Sequence, residues 1–188
     1  MKKPFVISIS SVSGGGKTAL SVTLHKSLPD SSLFHFDDFD DSNIYPSDFY
    51  DWSRRGGDVE EFEYPGMQMT VNTVIHQRKS RWIILDFPFG RRHSCFRDVI
   101  DLTVFIDTPL DVVMARRILR DYTTDSGESA EETLNRLHTD LSNYLEKARY
   151  PYLDTYKHKA DSDLVLDGWR SLDDLKNDVI AVLNQEIW

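Results

Sequence analysis

The stretch from Phe5 to Leu28 constrains this chain more than any other: a short apolar run, FVISIS, then SVSGGGKT, then a helical pattern. FVISI is short, β-branched and aromatic, which predicts a buried strand. Gly14, Gly15 and Gly16 let the backbone turn tightly and bring its N–H groups close to an anion. Lys17 and Thr18 open a helix on which Leu20, Leu24 and Leu28 recur along one face. A helix N-terminus after such a turn attracts phosphate, because its first-turn amides lack internal partners and its dipole is positive there. The stretch matches the phosphate-loop pattern G-x-x-x-x-G-K-S/T except at its first position, where Ser11 stands in place of glycine. Ser11 serves there if its φ is negative.

The pattern implies Mg·ATP held by Ser13, Gly14, Gly15, Gly16, Lys17, Thr18 and Ala19. Lys17 is expected on the β- and γ-phosphates and the Thr18 hydroxyl on Mg²⁺. The alternative is a glycine-rich β-to-α turn that holds no ligand.

At 188 residues the chain is long enough for one domain with a sizeable core and a lid or small insert. A net charge of -9 argues against broad binding to nucleic acid or an anionic membrane. Cys95 is the only cysteine, so no intramolecular disulfide can form. With MKKPFVIS too short in its apolar run for a signal peptide, this points to the cytoplasm. No apolar run reaches the length of a bilayer span, and the scattered histidines show no metal-ligand spacing. A homo-oligomer stays open.

Four more strands are expected, at Leu33–Phe36, Trp82–Leu85, Leu102–Ile106 and Leu164–Leu166, with helical patterns between them. Met67, Val71, Val74 and Ile75 form one core stripe, and Leu134, Leu137, Leu141 and Leu145 mark a longer helix. Pro109 suits the first turn of a helix, and Ser171 with Asp174 resembles a capping box. Strands alternating with helices predict a five-stranded parallel sheet covered on both faces. Residues 37–66 differ: acidic, aromatic and turn-rich, they predict an acceptor-binding insert.

Asp37 and Asp38 follow the second strand directly, at the end where open parallel sheets bind ligands. Asp37 there can take the proton of a hydroxyl attacking a γ-phosphoryl group; the alternative is a turn or cap aspartate. Asp86 ends WIILD, the form of a second acid that helps hold Mg²⁺, or else a structural strand-end aspartate. Arg116, Arg117 and Arg120 precede the Gly- and Ser-containing stretch 123–129. They are expected to neutralise charge over the phosphates beneath a closing lid at 116–129, or to pair with Asp111 and Asp121. Arg91, Arg92 and His93 follow Asp86 closely and are expected near the same crevice, Arg91 as an acceptor contact.

On these residues the chain resembles the uridine kinase and phosphoribulokinase group of P-loop kinases, and especially nicotinamide riboside kinases. ISISSVSGGGKTAL is similar to the family's phosphate loop, and FHFDDFD to its strand-end Q-D-D-F segment, with Phe36 in place of glutamine. EFEYP resembles N-F-D-H-P, putting Glu63 on the ribose-binding aspartate. WIILDFPF lies where the family strand ends in E-G, so Asp86 and Phe87 replace Glu and Gly. ARRILRD is similar to the lid's R-R-x-x-R-D, and residues 144–168 to the stretch leading into the last strand.

The resemblance implies a three-layer α/β/α P-loop NTPase fold over 1–188. It implies ATP-dependent phosphorylation of a ribonucleoside (uridine or cytidine) or nicotinamide riboside. Asp37 would be the base, Lys17, Arg117 and Arg120 the groups on the transferred phosphoryl, and Arg116 a nucleotide contact. Asp38, Glu63 and Arg91 would lie on the acceptor side. A kinase for a non-nucleoside alcohol and a nucleotide-binding regulatory protein are the rival readings.

Overall fold

In the computed structural model, which describes residues 3–123 and 127–186, the expected strands all form. β1 (Phe5–Ser10), β2 (Ser31–His35), β3 (Trp82–Asp86), β4 (Leu102–Asp107) and β5 (Leu164–Asp167) make a parallel sheet in the order β2–β3–β1–β4–β5. The helices are α1 (Lys17–Ser27), α2 (Phe49–Arg54), α3 (Pro65–Gln77), α4 (Ser94–Arg97), α5 (Leu110–Tyr122), α6 (Ala130–Asn143), α7 (Arg149–Thr155) and α8 (Leu172–Glu186).

Side chains alternate across the strands, as the pleat requires. Ile7, Ile9, Ile84, Val104 and Ile106 face α1 and α8, meeting Leu20, Leu24, Leu175 and Val179. Val6, Ile83 and Leu85 face the opposite side, meeting Met67 and Val71 of α3 together with Phe87 and Phe96. Two apolar layers therefore sandwich the sheet, and the central position of β1 fixes the phosphate loop at its middle.

The segment after β2 is less loop-like than its composition predicts. It holds a 3₁₀ turn over Phe36–Ser42, α2, a second 3₁₀ turn over Val59–Glu61, and an antiparallel bridge between Ile44 and Glu63. Trp52, Val59, Phe62 and Tyr64 from this segment are buried and continue the core on the α3 side. The leucine stripe of α6 departs from expectation in the other direction. The helix forms, but none of its residues is buried, and Leu134 and Leu145 are 65% and 74% exposed. A π-helical turn over Tyr144–Ala148 interrupts the 3.6-residue period at its end, so the stripe does not continue along one face. Among the described residues, no helix is long and apolar enough to cross a membrane.

Candidate active site

The phosphate loop is shaped by backbone freedom at two glycines and by one serine. Gly14 and Gly16 have φ of 86° and 106°, which residues with a Cβ rarely adopt. Ser11 is not among the positive-φ residues, so glycine is not needed at that place. Its buried hydroxyl donates to the Ile106 carbonyl at 2.8 Å and ties the loop to β4. The same oxygen occupies the space beside Gly15, where a Cβ would come within 1.9 Å of it. Thr108 completes the frame by donating to the Gly15 carbonyl at 2.8 Å. Gly16 caps α1 without a side chain, leaving the first-turn amides to an anion.

Strand register gathers the acids. β3 lies between β1 and β2, with Asp86 in register with both Ile9 and His35. The Thr18 hydroxyl donates to Asp86 Oδ2 at 2.7 Å, and His35 Nδ1 donates to the same oxygen at 3.0 Å. Asp86 Oδ1 is buried without a hydrogen-bond partner among the described residues. A buried carboxylate oxygen left over beside a threonine hydroxyl is a donor set that fits Mg²⁺, a hard cation that takes oxygen ligands. His35 went unnoticed in the sequence, where a lone histidine in a strand carries no signal.

Beside this pair is a cavity of about 280 Å³. Ser13, Gly14, Gly16, Lys17, Thr18 and Ala19 line it from the loop and α1, Asp37 from the 3₁₀ turn, and Arg116, Arg117 and Arg120 from α5. Lys17 makes no ion pair among the described residues and lies 5.7 Å from the Phe36 ring centroid. Asp37 reaches solvent, yet its pKa is raised. Desolvation is the main cause; Asp86 and Asp40 add to it, and Lys17 and His35 offset part of it. Arg116 donates to the Gly168 carbonyl at 3.2 Å, and Arg120 pairs with Asp121 at 2.6 Å. Residues 124–126 of the expected lid lie outside the described residues.

A second, larger cavity of about 530 Å³ adjoins the first and shares Ser13, Lys17 and Phe36 with it. Tyr45, Phe49, Trp52, Phe62, Tyr64 and Phe89 form its aromatic walls, and Asp48, Asn143, Lys147 and Tyr152 are its polar points. Phe62 is the hub, with ring centroids 5.2 Å from Trp52 and 4.8 Å from Phe89. Phe49 stays 46% exposed at this cavity despite its size. Its volume and apolar walls with few polar groups suit a small organic ligand.

No protein-family model matches the chain. A uridine kinase from Streptococcus pyogenes serotype M5 is 26% identical, over 72% of this chain and 76% of its own. One from Bacillus pumilus is 23% identical over 71% and 75%. The chain is similar to uridine kinases. In structure it resembles a gluconokinase from Sinorhizobium meliloti, with a TM-score of 0.53 at 14% identity over 98% of this chain and 94% of that one. A shikimate kinase from Aquifex aeolicus gives 0.50 at 15% over 97% and 98%. These likenesses establish a P-loop kinase fold.

Three expected acceptor residues do not join the site. Glu63 is exposed and lines neither cavity. It sits between Phe62 and Tyr64, which both line the aromatic cavity, and neighbouring side chains of an extended segment point to opposite sides. Arg91 is a clearer correction: its Nη1 donates to both Asp163 carboxylate oxygens, at 2.8 and 2.7 Å, and its Nε to the Ile100 carbonyl at 3.1 Å. Those partners lead into β4 and β5 at their amino ends, whereas the cavities lie at the carboxyl ends. Asp38 is exposed and lines neither cavity.

Proposed function

We propose that this chain is a Mg·ATP-dependent kinase of a small-molecule hydroxyl, with a ribonucleoside or nicotinamide riboside as acceptor. One observation carries the reading: Asp37 shares a cavity with Lys17 and three arginines, and that cavity opens onto an aromatic chamber sized for an acceptor. The similarity to uridine kinases supports the nucleoside.

In this reading the loop amides and Lys17 hold the triphosphate, and Thr18 and Asp86 would hold Mg²⁺. The metal, when bound there, neutralises charge on the β- and γ-phosphates. The acceptor's flat apolar part rests among Tyr45, Phe62 and Phe89, bringing its hydroxyl toward Asp37. The hydroxyl oxygen bonds to the γ-phosphorus while the bridging P–O bond breaks, its electron pair leaving with ADP. The hydroxyl proton passes to Asp37. Its raised pKa brings this base nearer to neutrality, where proton acceptance is more favourable. Arg117 and Arg120 stabilise the charge on the moving phosphoryl group.

The test is ADP release measured with uridine, cytidine, nicotinamide riboside, pantothenate and simple sugars. Stimulation by a nucleoside is the expected result. Stimulation by a sugar or vitamin precursor alone would favour the second reading, a kinase of a non-nucleoside alcohol, which the outward-facing Glu63 supports. Indifference to every acceptor, with tight nucleotide binding, would leave a regulatory nucleotide-binding protein.

A further inference from the structure

Tyr152 lines the aromatic cavity and touches Arg117 of the phosphate cavity, a placement that no sequence motif announces. Arg117 Nη1 donates to the Tyr152 hydroxyl oxygen, and its guanidinium carbon stands 5.2 Å from the ring centroid. Ser13 lines both cavities beside this contact. The stem of Arg117 crosses the phosphate loop so closely that a Cβ on Gly14 would come within 2.8 Å of its Cγ. Its Nε is buried without a hydrogen-bond partner, and Asp121 is 3.9 Å from that nitrogen.

Arg117 is thus partly satisfied, and its main partner is a neutral phenol. A phosphate oxygen is the stronger partner for guanidinium, because both groups are then charged and two parallel bonds can form. Moving from one to the other requires only a turn of the guanidinium within a cavity it already lines. The phenol in turn belongs to a wall that an acceptor would touch, beside Lys147 and Ala148 of the π-helical turn.

We propose that Tyr152 is a positioning residue that holds Arg117 off the γ-phosphoryl group until an acceptor fills the aromatic cavity, so that ATP consumption follows acceptor occupancy. This rests on the kinase reading above. An acceptor pressing on the phenol weakens its hold, and the freed guanidinium completes the clamp. Without an acceptor the clamp stays incomplete, and transfer of the phosphoryl group to water, giving ADP and inorganic phosphate, is suppressed.

The test compares ADP release, with and without acceptor, in the wild type, Tyr152→Phe, Arg117→Gln and the double variant. Loss of one hydrogen bond should raise acceptor-free release in Tyr152→Phe by about fivefold. In the Arg117→Gln background the same change should leave acceptor-free release unaltered. Equal acceptor-free release in the wild type and Tyr152→Phe overturns the proposal, as does an increase that persists without Arg117.

Calorimetry with the non-hydrolysable β,γ-imido analogue of ATP reads the positioning without turnover. Tyr152→Phe should bind it about fivefold tighter through the freed arginine, and unchanged affinity overturns the proposal. A wild type that no acceptor stimulates sinks the kinase reading instead, and the calorimetric comparison still decides whether Tyr152 restrains Arg117.

Discussion

The phosphate-loop cavity and the aromatic cavity of this molecule are built by different means. Around the loop, the contacts that matter come from backbone: two positive-φ glycines, the uncapped N-terminus of α1, and carbonyls tied down by Ser11 and Thr108. The aromatic chamber has almost no such frame. It is a set of rings from residues 36–64, Phe89 and the stretch 143–155, brought together only when α2, α7 and the sheet are in place. Backbone geometry tolerates sequence change as long as the turn survives, whereas a side-chain mosaic changes its ligand with each substitution.

The sharpest attack on this contrast is Asp37→Asn, which touches the seam between the two cavities. Turnover should fall by about 10³-fold while Mg·ATP affinity stays within about threefold, because a general base acts in the transition state and not on the bound nucleotide. Equal loss in both would show that Asp37 belongs to the phosphate frame.

Trp52→Ala probes whether the chamber is separable. Trp52 is 4% exposed and its indole N–H donates to the Asp58 carbonyl at 2.7 Å. Denaturant unfolding should show about 3 kcal/mol of lost stability, with the acceptor KM raised and nucleotide affinity kept. Parallel loss of nucleotide affinity would mean the two cavities are one unit.

His158 lies behind the chamber, its ring 5.4 Å from Phe89 and only 6% exposed. Burial lowers its pKa to about 4, Arg92 and Lys157 adding to the effect and Asp154 opposing it. The unfolded chain, titrating near 6.5, binds more protons than the native one between those values, so stability falls as pH drops from 6.5 toward 4. The loss should reach about 2 kcal/mol by pH 5, and His158→Leu should abolish that part of it in paired denaturation curves at pH 7 and 5.

The smallest effect is expected of Glu63→Ala. With its side chain turned from the cavity, acceptor KM should change by less than about twofold, since a missing contact cannot be lost. A tenfold rise would return Glu63 to the acceptor site.

Much of the fold was legible because its signals are local. FVISIS and WIILD are short apolar runs at strand length, and the glycine turn between strand and helix announces itself in eight residues. The same locality explains the misplacements. Arg91 looks like a neighbour of Asp86 in sequence, but the chain turns back after β3 and delivers it to Asp163 at the opposite ends of the strands. The α6 leucines have helical spacing, yet spacing carries no information about whether a partner surface is present.

By itself the sequence determined that a strand, a glycine turn and a helix start follow one another directly, since that shape is set by neighbouring backbone dihedrals. It also determined that Asp37 and Asp86 stand at strand ends. Only the tertiary structure decided which strand lies beside which, and so that His35 and Thr18 converge on one oxygen of Asp86. It alone decided that Phe62 and Tyr64 face the chamber while Glu63 does not, and that Tyr152 reaches Arg117 across the seam. The reason is physical: hydrogen bonds along a turn depend on neighbouring dihedrals, but contacts between side chains far apart in the chain exist only after strand register and helix packing have set their places.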